Sequence, residues 1–324
     1  MALNPTAALS TQRPDLAESF AQFDQALAAY GYIGAELFPP VDVAQQAGNF
    51  GVIPIQTMIA TIDTTRAPGA GYNRGQGDLT PKTYSCLENG AEDVIDDREA
   101  NMYRNYFDGE QMAAIRARDR VLRNYEIRIA AKFVTGNFGS GFNSAVAVSW
   151  KTIASSTPAV DIVTAKKAIY ANSGLVANAV AMSWKKWLDL QQSDDLINRI
   201  KYAGLLDPQT KTITTAAAAA YFDVDQVLIA GAPKITSNEG ATVALGSIWT
   251  DDTVFVGRIG RTNDFKEACI GRTFNWTEDG GSMAGAVESY RDENVRSNVV
   301  RVRMDTDENL IYKSAGYLLT GADA

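Results

Sequence analysis

The chain has 324 residues, of which 46% are hydrophobic and 21% charged, the composition of an ordinary globular protein with material for about two domains. Its formal net charge of -8 argues against a dedicated nucleic-acid binder, because phosphate contacts need a concentrated basic face. It contains no histidine, so the commonest general base and the usual zinc ligand are both missing.

Two further features bear on the compartment and on cofactors. The purely apolar runs are a few residues long, far below the ~20 needed to span a bilayer, and no Lys or Arg precedes Arg13 to begin a signal peptide. Cys86 and Cys269 belong to no CxxC or Cys/His cluster. We therefore expect a cytoplasmic product with two reduced cysteines, and we expect no cofactor, no metal and no catalytic residues.

An amphipathic segment near the N-terminus predicts the first helix. Its large apolar residues recur at helical spacing: Leu16, Phe20, Phe23, Leu27 and Tyr30. Gly31 ends the pattern, and Gly34, Pro39 and Pro40 prevent its continuation. The segment is predicted to be a helix on a flexible tether, which either packs on its own domain or docks on a neighbouring subunit or partner.

A long hairpin is predicted next. The β-branched run from Val52 to Thr65 alternates like a strand, and Thr80 to Asn89 returns in extended form. Between them, Arg66 to Asp78 is rich in glycine and poor in apolar residues, so this projection needs a partner surface. The glycines match neither GxxxxGK[ST] nor GxGxxG, and no helix start follows them, which argues against a phosphate-binding loop.

An acidic cluster follows the hairpin. It consists of Glu88, Glu92, Asp93, Asp96 and Asp97. These carboxylates are predicted to lie at the start of a helical region, where the helix dipole favours negative charge. A paired acid/base site or a metal site is the alternative, but no second type of ligand accompanies them.

The stretch from Ala113 to Thr135 predicts a long helix around which the chain is organised. Its apolar stripe is narrow and consists of Ile115, Leu122, Tyr125, Ile129 and Phe133. Only two acids, Asp119 and Glu126, lie in this stretch. Six basic residues surround the stripe: Arg116, Arg118, Arg120, Arg123, Arg128 and Lys132. Gly136 is the predicted stop. We predict a spine that crosses a thin sheet and turns its other faces to neighbours or a polyanion, with a solvated surface helix as the alternative.

Beyond this helix, the pattern predicts a compact mixed α/β domain. A helix begins at Thr157-Pro158 and runs through Ala171, before Asn172-Ser173-Gly174 ends it. In the tail, two strands, Val299 to Met304 and Leu310 to Leu319, are predicted to be joined by a turn at residues 305–309. Between these parts, the predicted strands and helices are Ala179 to Ser183, Trp184 to Gln191, Ser193 to Ala203, Thr214 to Phe222, Gln226 to Ala230 and Thr253 to Ile259.

The order of these elements resembles that of the major capsid proteins of tailed phages, which share the Hong Kong phage fold with encapsulins and lambda-like head proteins. No segment is a catalytic signature, and what is specific is their order along nearly the whole chain. The segments are FPPVDVAQQAGNFGVIPI (Phe38 to Ile55), TYSCLENGAEDVIDDREANMY (Thr83 to Tyr103), DLINRIKY (Asp195 to Tyr202), DVDQVLIAGAPKITSNEG (Asp223 to Gly240), GSIWTDDTVFVG (Gly246 to Gly257) and YRDENVRSNVVRVRMDTDENLIYKSAGYLL (Tyr290 to Leu319).

The resemblance implies an α+β fold in five parts. These are an N-terminal arm (1–50), an E-loop (51–96), a P-domain with the spine helix (97–173), an A-domain (174–285), and C-terminal strands that complete the P-domain (286–324). Only Met1 to Val52 precedes the E-loop, which implies a separate scaffolding protein. Some relatives cross-link an E-loop lysine to a tail asparagine; the nearest matches here are Lys82, which lies past the tip, and Asn294.

The implied function is that of a major capsid protein, assembled in the host cytoplasm into a virion shell of hexamers and pentamers. Its implied partners are itself, a scaffolding protein, a portal, a decoration protein and double-stranded DNA bound without sequence specificity. An encapsulin-like cargo compartment is the nearest alternative, and an α/β enzyme that uses Ser183 or Cys86 is another. We expect the arginines of the spine to pair with a neighbour's carboxylates, and the expected contacts between subunits are Arg66, Tyr72, Arg74, Glu92, Asp93, Asp96, Asp97, Arg116, Arg118, Arg120 and Arg123.

Overall fold

The structure, a computed structural model, describes residues 11–12, 31–75, 77–103, 108–202, 213–278 and 280–323. The N-terminal helix predicted from Leu16 to Tyr30 lies outside these residues. The helices are α1 (Gly34–Leu37), α2 (Ile55–Ile59), α3 (Asp97–Tyr103), α4 (Gly109–Ala130), α5 (Thr135–Phe138), α6 (Pro158–Ser173), α7 (Trp184–Gln192), α8 (Asp194–Tyr202) and α9 (Thr215–Phe222), with a 3-10 turn at Lys313–Ala315.

Within the described residues, the strands form four sheets. The strands are β1 (Thr11–Gln12), β2 (Pro40–Val43), β3 (Ala47–Val52), β4 (Thr80–Ser85), β5 (Leu87–Asp96), β6 (Asn143–Ala145), β7 (Ala179–Ser183), β8 (Gln226–Ala230), β9 (Pro233–Ile235), β10 (Leu245–Ser247), β11 (Val254–Gly257), β12 (Gly271–Trp276), β13 (Ala286–Asp292), β14 (Ser297–Leu310) and β15 (Gly316–Thr320).

The first large sheet, here called the spine sheet, is built around the long strand β14. This strand pairs antiparallel with β5, β13 and β12, and β1 and β2 extend the sheet from β13 and β12. The turn predicted at residues 305–309 is wrong, because β14 runs through it. Asp305 pairs with Glu88 of β5, and Asn309 pairs with Arg272 of β12, so neighbouring strands hold this segment extended.

The spine helix α4 lies across β14 and β5, as predicted from its narrow stripe. It runs from Gly109 to Ala130 instead of Ala113 to Thr135. Asp108 caps its start by accepting a hydrogen bond from the backbone N–H of Glu110 at 3.0 Å. Its last turn tightens, because the N–H groups of residues 132 and 133 bond to carbonyls three residues back.

The face that α4 buries also differs from the predicted stripe. Tyr125 and Ile129 are buried as predicted, but Ile115 and Leu122 are only half-buried. Small residues occupy the centre of the contact, so that the helix backbone approaches the sheet closely. The remaining buried apolar residues of the helix are Ala113, Ala114, Ala117 and Val121.

The second large sheet has the order β6-β15-β11-β7-β8. Helices α6 to α9 cover one face, with Ile162, Trp187 and Leu190 among the buried residues. The other face meets the end of the spine helix, where Phe133 packs against Phe255 with ring centroids 4.8 Å apart. One core therefore joins the two large sheets through the spine helix.

Local end signals predicted the elements of this second sheet well. Helix α6 begins with Pro158 and ends before Gly174, whose φ of 70° places it in the left-handed region. The strands predicted at Ala179 to Ser183 and Gln226 to Ala230 are confirmed with the same bounds. The helices predicted at Trp184, Ser193 and Thr214 are confirmed to within a residue or two.

Two strands depart from the expected division into domains. Strand β15 falls in the tail that was expected to complete the spine sheet, yet it pairs with β11 and β6 of the second sheet. Strand β12 falls in the expected A-domain range, yet it pairs with β14. Boundaries drawn along the sequence therefore do not separate the two large sheets, because the chain crosses from one sheet to the other at residues 257–271 and 310–316.

The hairpin predicted after the arm is formed by β3 and β4, which pair from Ala47 with Ser85 to Val52 with Thr80. The strand predicted from Val52 to Thr65 is wrong. Strand β3 ends at Val52, Pro54 precedes the single helical turn of α2, and residues 60–75 and 77–79 are irregular. The glycine-rich segment leads into strand β4 and not into a helix, which removes the phosphate-loop interpretation.

Candidate interaction surfaces

The base of the hairpin is anchored to the end of β14. The ammonium group of Lys82 donates to the backbone carbonyls of Leu310 and Ile311, each at 2.9 Å, and the hydroxyl of Tyr312 donates to the carbonyl of Ile53 at 2.8 Å. Burial lowers the pKa of Lys82, and the nearby charge of Lys313 lowers it further. The lysine that was compared with cross-linking relatives is therefore held at the base within its own chain.

Aromatic side chains strengthen this anchor. The ring of Tyr84 on β4 stacks on Phe274 of β12 with centroids 4.7 Å apart, and Phe50 meets Phe265 edge-on at 5.3 Å. Cys86 is fully buried in the same cluster. The hairpin base is thus a small core of its own, which fixes the direction in which the rest of the hairpin projects.

Beyond this base, the hairpin exposes apolar side chains to solvent. Met58 is 70% exposed, Ile59 62% and Leu79 63%, and Ile62 is also exposed. An irregular segment that leaves this much apolar surface uncovered on one chain is typical of an interaction site.

The tip of the hairpin, here called the tip segment (residues 63–74), is ordered by its own polar contacts. The guanidinium of Arg66 lies 4.5 Å from the ring centroid of Tyr72, and its Nε donates to the carbonyl of Ala70 at 2.6 Å. The amide of Asn73 donates to the carbonyl of Asp63 at 2.7 Å. Two of the residues expected to contact neighbours, Arg66 and Tyr72, are thus brought together, and both are exposed along with Arg74.

The basic residues of the spine helix find partners within the same chain. Arg116 forms an ion pair with Asp93 at 2.7 Å, and Arg120 approaches the same carboxylate at 3.7 Å. Arg118 is buried and donates to the carbonyl of Ala284 at 2.7 Å. Arg123 pairs with Asp119 one turn away on the helix. Each of these four arginines therefore has a partner within its own chain, and pairing with a neighbour's carboxylates stays a prediction.

The acidic cluster is divided among several surroundings. Four of its members lie on strand β5 and not at a helix start, which corrects the predicted location; only Asp97 begins a helix. Asp93 faces the spine helix, and Asp96 accepts from the N–H of Arg98 at 2.7 Å. A hydrogen bond from Arg291 lowers the pKa of Asp97.

The carboxylate of Glu126 joins three parts of the fold. The sequence pattern indicated only that it is one of two acids on the spine helix. Glu126 is fully buried and accepts from the indole N–H of Trp249 at 2.6 Å and from the backbone N–H groups of Ile33 and Gly34 at 3.1 and 2.8 Å. Burial raises the pKa of Glu126 despite these hydrogen bonds. The signal was its position, four residues after Leu122, in register with the apolar stripe.

No protein-family model matches the sequence, and comparison with curated proteins gives no match either. Solved structures share the architecture. A phage-related protein from Bordetella bronchiseptica RB50 matches with a TM-score of 0.69 and 21% identity, over 97% of this chain and 98% of that chain. A capsid chain of the cyanophage P-SCSP1u matches with a TM-score of 0.60 and 11% identity, over 90% and 88% of the two chains. The virus-like particle from Pyrococcus furiosus matches with a TM-score of 0.53 and 10% identity, over 94% and 98%.

The chain has the Hong Kong phage capsid fold. The α+β architecture predicted from the order of the sequence segments is confirmed by these matches. At such low identity the likeness establishes the fold and not the role of any residue.

Within this capsid fold, the two residues considered for an enzyme have structural roles. Ser183 is buried, donates to Asp251 at 2.6 Å and caps helix α7. Burial raises the pKa of Cys86 to about 11, with Asp307, Asp305 and Glu308 adding to the effect, so its thiol is not ionised near neutral pH. Cys86 and Cys269 are both free thiols, as expected.

Neither a metal site nor a membrane span is found in the described part of this capsid fold. Its acidic and cysteine side chains form no group of three that is arranged to hold a metal ion. None of its helices combines the length and the hydropathy that crossing a bilayer requires.

Proposed function

We propose that this protein is the major capsid protein of a tailed phage, many copies of which assemble into a closed icosahedral shell around double-stranded DNA. The observation that carries the proposal is the hairpin, which is firmly anchored at its base but leaves Met58, Ile59, Ile62 and Leu79 exposed beyond it. In a symmetric shell, each copy covers the exposed surface of the next, so stability missing from the single chain is supplied by assembly.

The charge of the chain suits a container for packaged DNA. A net charge of -8 gives a wall that does not bind the genome tightly, which leaves the DNA free to move as it is pumped in. The spine arginines support this view, since Arg116 and Arg120 are paired with Asp93. We therefore assign the protein a structural and not a catalytic role, located in the virion capsid after assembly in the host cytoplasm.

The proposed partners follow from this role. The chief partner is the chain itself, in hexamers and pentamers. A scaffolding protein, a portal and a decoration protein complete the set, and the DNA is enclosed without recognition of its sequence.

The test is assembly. The chain is expressed alone and with a candidate scaffolding protein, and the sedimented material is imaged by electron microscopy. We expect closed shells of uniform diameter. A matched variant replaces residues 53–79 with a two-residue Asn-Gly turn, which keeps β3 and β4 in register; we expect it to fold but to form no shells. A soluble monomer under every condition for the unaltered chain would overturn the proposal.

An encapsulin-like compartment is the second candidate, because a virus-like particle from Pyrococcus furiosus has the same fold. The two candidates differ in what the particle encloses. Particles purified from the natural source are treated with nuclease, opened and analysed for nucleic acid and protein. Protected double-stranded DNA supports the phage capsid, whereas a stoichiometric cargo protein without DNA supports the compartment.

A further inference from the structure

Helix α6 is apolar on two sides. Its inner side packs in the core beneath the second sheet, where Ile162 and Ile169 are fully buried. Its outer side exposes Val160, Val163 and Tyr170, the last of them to 64%. Because these three residues lie three and seven positions apart, they form one stripe along the helix. A helix that is apolar on more than its core side is typical of an element that another surface covers.

A groove of about 460 Å³ runs beside this stripe. Val163 and Tyr170 line it together with Val176 and Ala177, which lie between α6 and β7. Within the described part of the chain, none of the lining residues belongs to a strand, so the groove offers no free row of backbone groups to an added strand. A helix with apolar side chains three and four positions apart is the form of peptide that fits such a surface.

The charge of this groove is positive. Lys166 and Lys167 line it, and among the described residues no acid does. The ammonium group of Lys166 donates to the carbonyls of Phe222 and Asp223, each at 2.8 Å, so Lys166 offers the groove chiefly its apolar stem. Lys167 is exposed and forms no ion pair with a described residue. The only acid of the helix, Asp161, is buried, so the charge of Lys167 is not offset on this side.

We propose that this groove binds an amphipathic helix of the scaffolding protein. Apolar side chains of that helix pack against Val163, Tyr170 and Val176. One of its carboxylates pairs with Lys167. The inference rests on the proposed function and names the place where one of the proposed partners docks, together with the chemistry of the segment that docks there.

Two observations select this occupant. The same face of a second copy would bring no carboxylate to Lys167, because the lining residues include two lysines and, among those described, no acid. From Val160 to Tyr170 the stripe is only about 15 Å long. A contact of this length buries far less than the ~1,200 Å² at which stable interfaces begin. So small a contact suits a partner that binds while the shell forms and then leaves.

The chemistry of the groove is tested with a defined probe. A fluorescent fifteen-residue helical peptide, with leucines three and four positions apart and glutamates beside them, is titrated against the full chain at about 0.15 M salt, where only nearby charges act. We expect binding, and binding about fivefold weaker when lysines replace the glutamates. We expect no binding when serines replace the leucines. Absence of binding by the acidic peptide, or equal binding of the acidic and basic peptides, overturns the inference.

The place of binding is tested by charge reversal. Lys167→Glu should reverse the preference, so that the basic peptide binds more tightly than the acidic one. Lys266→Glu is the matched control, because Lys266 is an exposed lysine on the loop between β11 and β12, and it should leave the preference unchanged. Circular dichroism checks that both variants fold. The same preference in both variants overturns the inference.

The occupant is tested by photo-cross-linking. Tyr170 is replaced by p-benzoylphenylalanine, and the full chain is expressed with the scaffolding protein of the assembly test. We expect an adduct whose bond, located by mass spectrometry, lies in an amphipathic segment of the scaffolding protein with a neighbouring Asp or Glu. Trp184 is the control position, because it is exposed at the opposite end of β7 from the groove, and it should give no adduct with that segment. An adduct of Tyr170 with a second copy, or none, overturns the inference.

The two levels of proposal fail separately. If the unaltered chain forms no shells under any condition, the proposed capsid function fails, and the scaffolding protein fails with it as the occupant even where the groove binds the acidic peptide. If the unaltered chain forms shells and the groove behaves like the control positions, only the docking fails.

Discussion

The α-carbon of Gly34 lies against the carboxylate of Glu126, so that a methyl group built on it would be 2.6 Å from Oε2 of Glu126 and 2.8 Å from Cδ1 of Ile129. The backbone N–H of Gly34 donates to that same oxygen at 2.8 Å. The absence of a side chain lets the end of the N-terminal arm approach the spine helix closely enough to bond. Trp249, which precedes the second-sheet strand β11, shares the carboxylate, so one side chain ties the arm, the spine and the second sheet together.

Gly34→Ala should lower the free energy of unfolding by about 1–3 kcal/mol, the usual cost of forcing atoms into a filled site. The measurement is urea unfolding followed by tryptophan fluorescence. Gly71→Ala is the matched control, because its added methyl group meets open space, and it should leave the free energy almost unchanged. Equal stability of the two variants would mean that Gly34 is not held against Glu126.

Glu126→Gln should change how stability depends on pH. Burial raises the pKa of Glu126 above its ordinary value of 4.5, so the folded state favours the protonated acid. The stabilisation from this proton is complete below that ordinary value and is lost as the pH rises through the raised pKa. The stability of the wild type relative to the Gln variant should therefore fall as the pH rises above 4.5. Urea unfolding at several pH values measures it, and a constant difference would contradict the prediction.

Lys186→Ala should be strongly destabilising. Its ammonium group is fully buried and contacts Asp189 at 2.5 Å, Asp323 at 2.7 Å and the carbonyl of Ala322 at 3.2 Å. Loss of this buried ion should cost about 3 kcal/mol. Its neighbour Lys185, an exposed residue paired with Asp251, is the control, and Lys185→Ala should cost far less stability because solvent screens the exposed pair. Thermal unfolding compares the two, and a similar shift in Tm for both would count against a buried role for Lys186.

Acid should weaken the same contact. Burial raises the pKa of Asp323, but hydrogen bonds from Lys186 and Lys151 outweigh it and leave the pKa below its ordinary value of 3.8. The stabilisation is thus present above that ordinary value and is lost as the pH falls through the lowered pKa. Asp323→Asn should therefore be less stable than the wild type at neutral and mildly acidic pH, and the difference in the free energy of unfolding should disappear only in strong acid. A stability difference that disappears already near neutral pH would be inconsistent with the ion pair between Lys186 and Asp323.

Neither cysteine should react with a thiol reagent such as DTNB while the protein is folded. Both thiols are buried, and the pKa of Cys86 is raised to about 11, chiefly by burial. Both should react at once in denaturant, and the exposed thiol of Gly71→Cys should react at once in the folded protein. Rapid reaction of the native thiols would indicate that the base of the hairpin opens.

Sequence patterns were reliable where a local signal sets the element. Helix α6 was predicted because Pro158 fits its first turn and Gly174 takes a left-handed conformation at its end. Strand β7 was predicted because residues 179–183 form a short apolar run bounded by other elements, and every residue in it is buried. Both signals act within a few residues, so they are readable without knowledge of the fold.

Patterns failed where distant strands decide the conformation. The run after Val52 alternates like a strand, but the partner strand β4 ends its pairing at Thr80, opposite Val52, and the chain beyond turns at Pro54. Residues 305–309 have the composition of a turn, yet β5 and β12 pair with them and keep them extended. In each case the deciding hydrogen bonds come from residues far away in the sequence.

The sequence by itself determined that a long, basic, narrowly apolar helix forms the spine, that a glycine-tipped hairpin projects, and that their order matches a capsid fold. Only the tertiary structure decided that alanines form the centre of the spine contact, that Glu126 joins three segments, and that Asp93 and Glu92 point to opposite faces of one sheet. Helix spacing and turn residues act locally along the chain, whereas burial and ion pairing depend on which distant surface each side chain meets after folding.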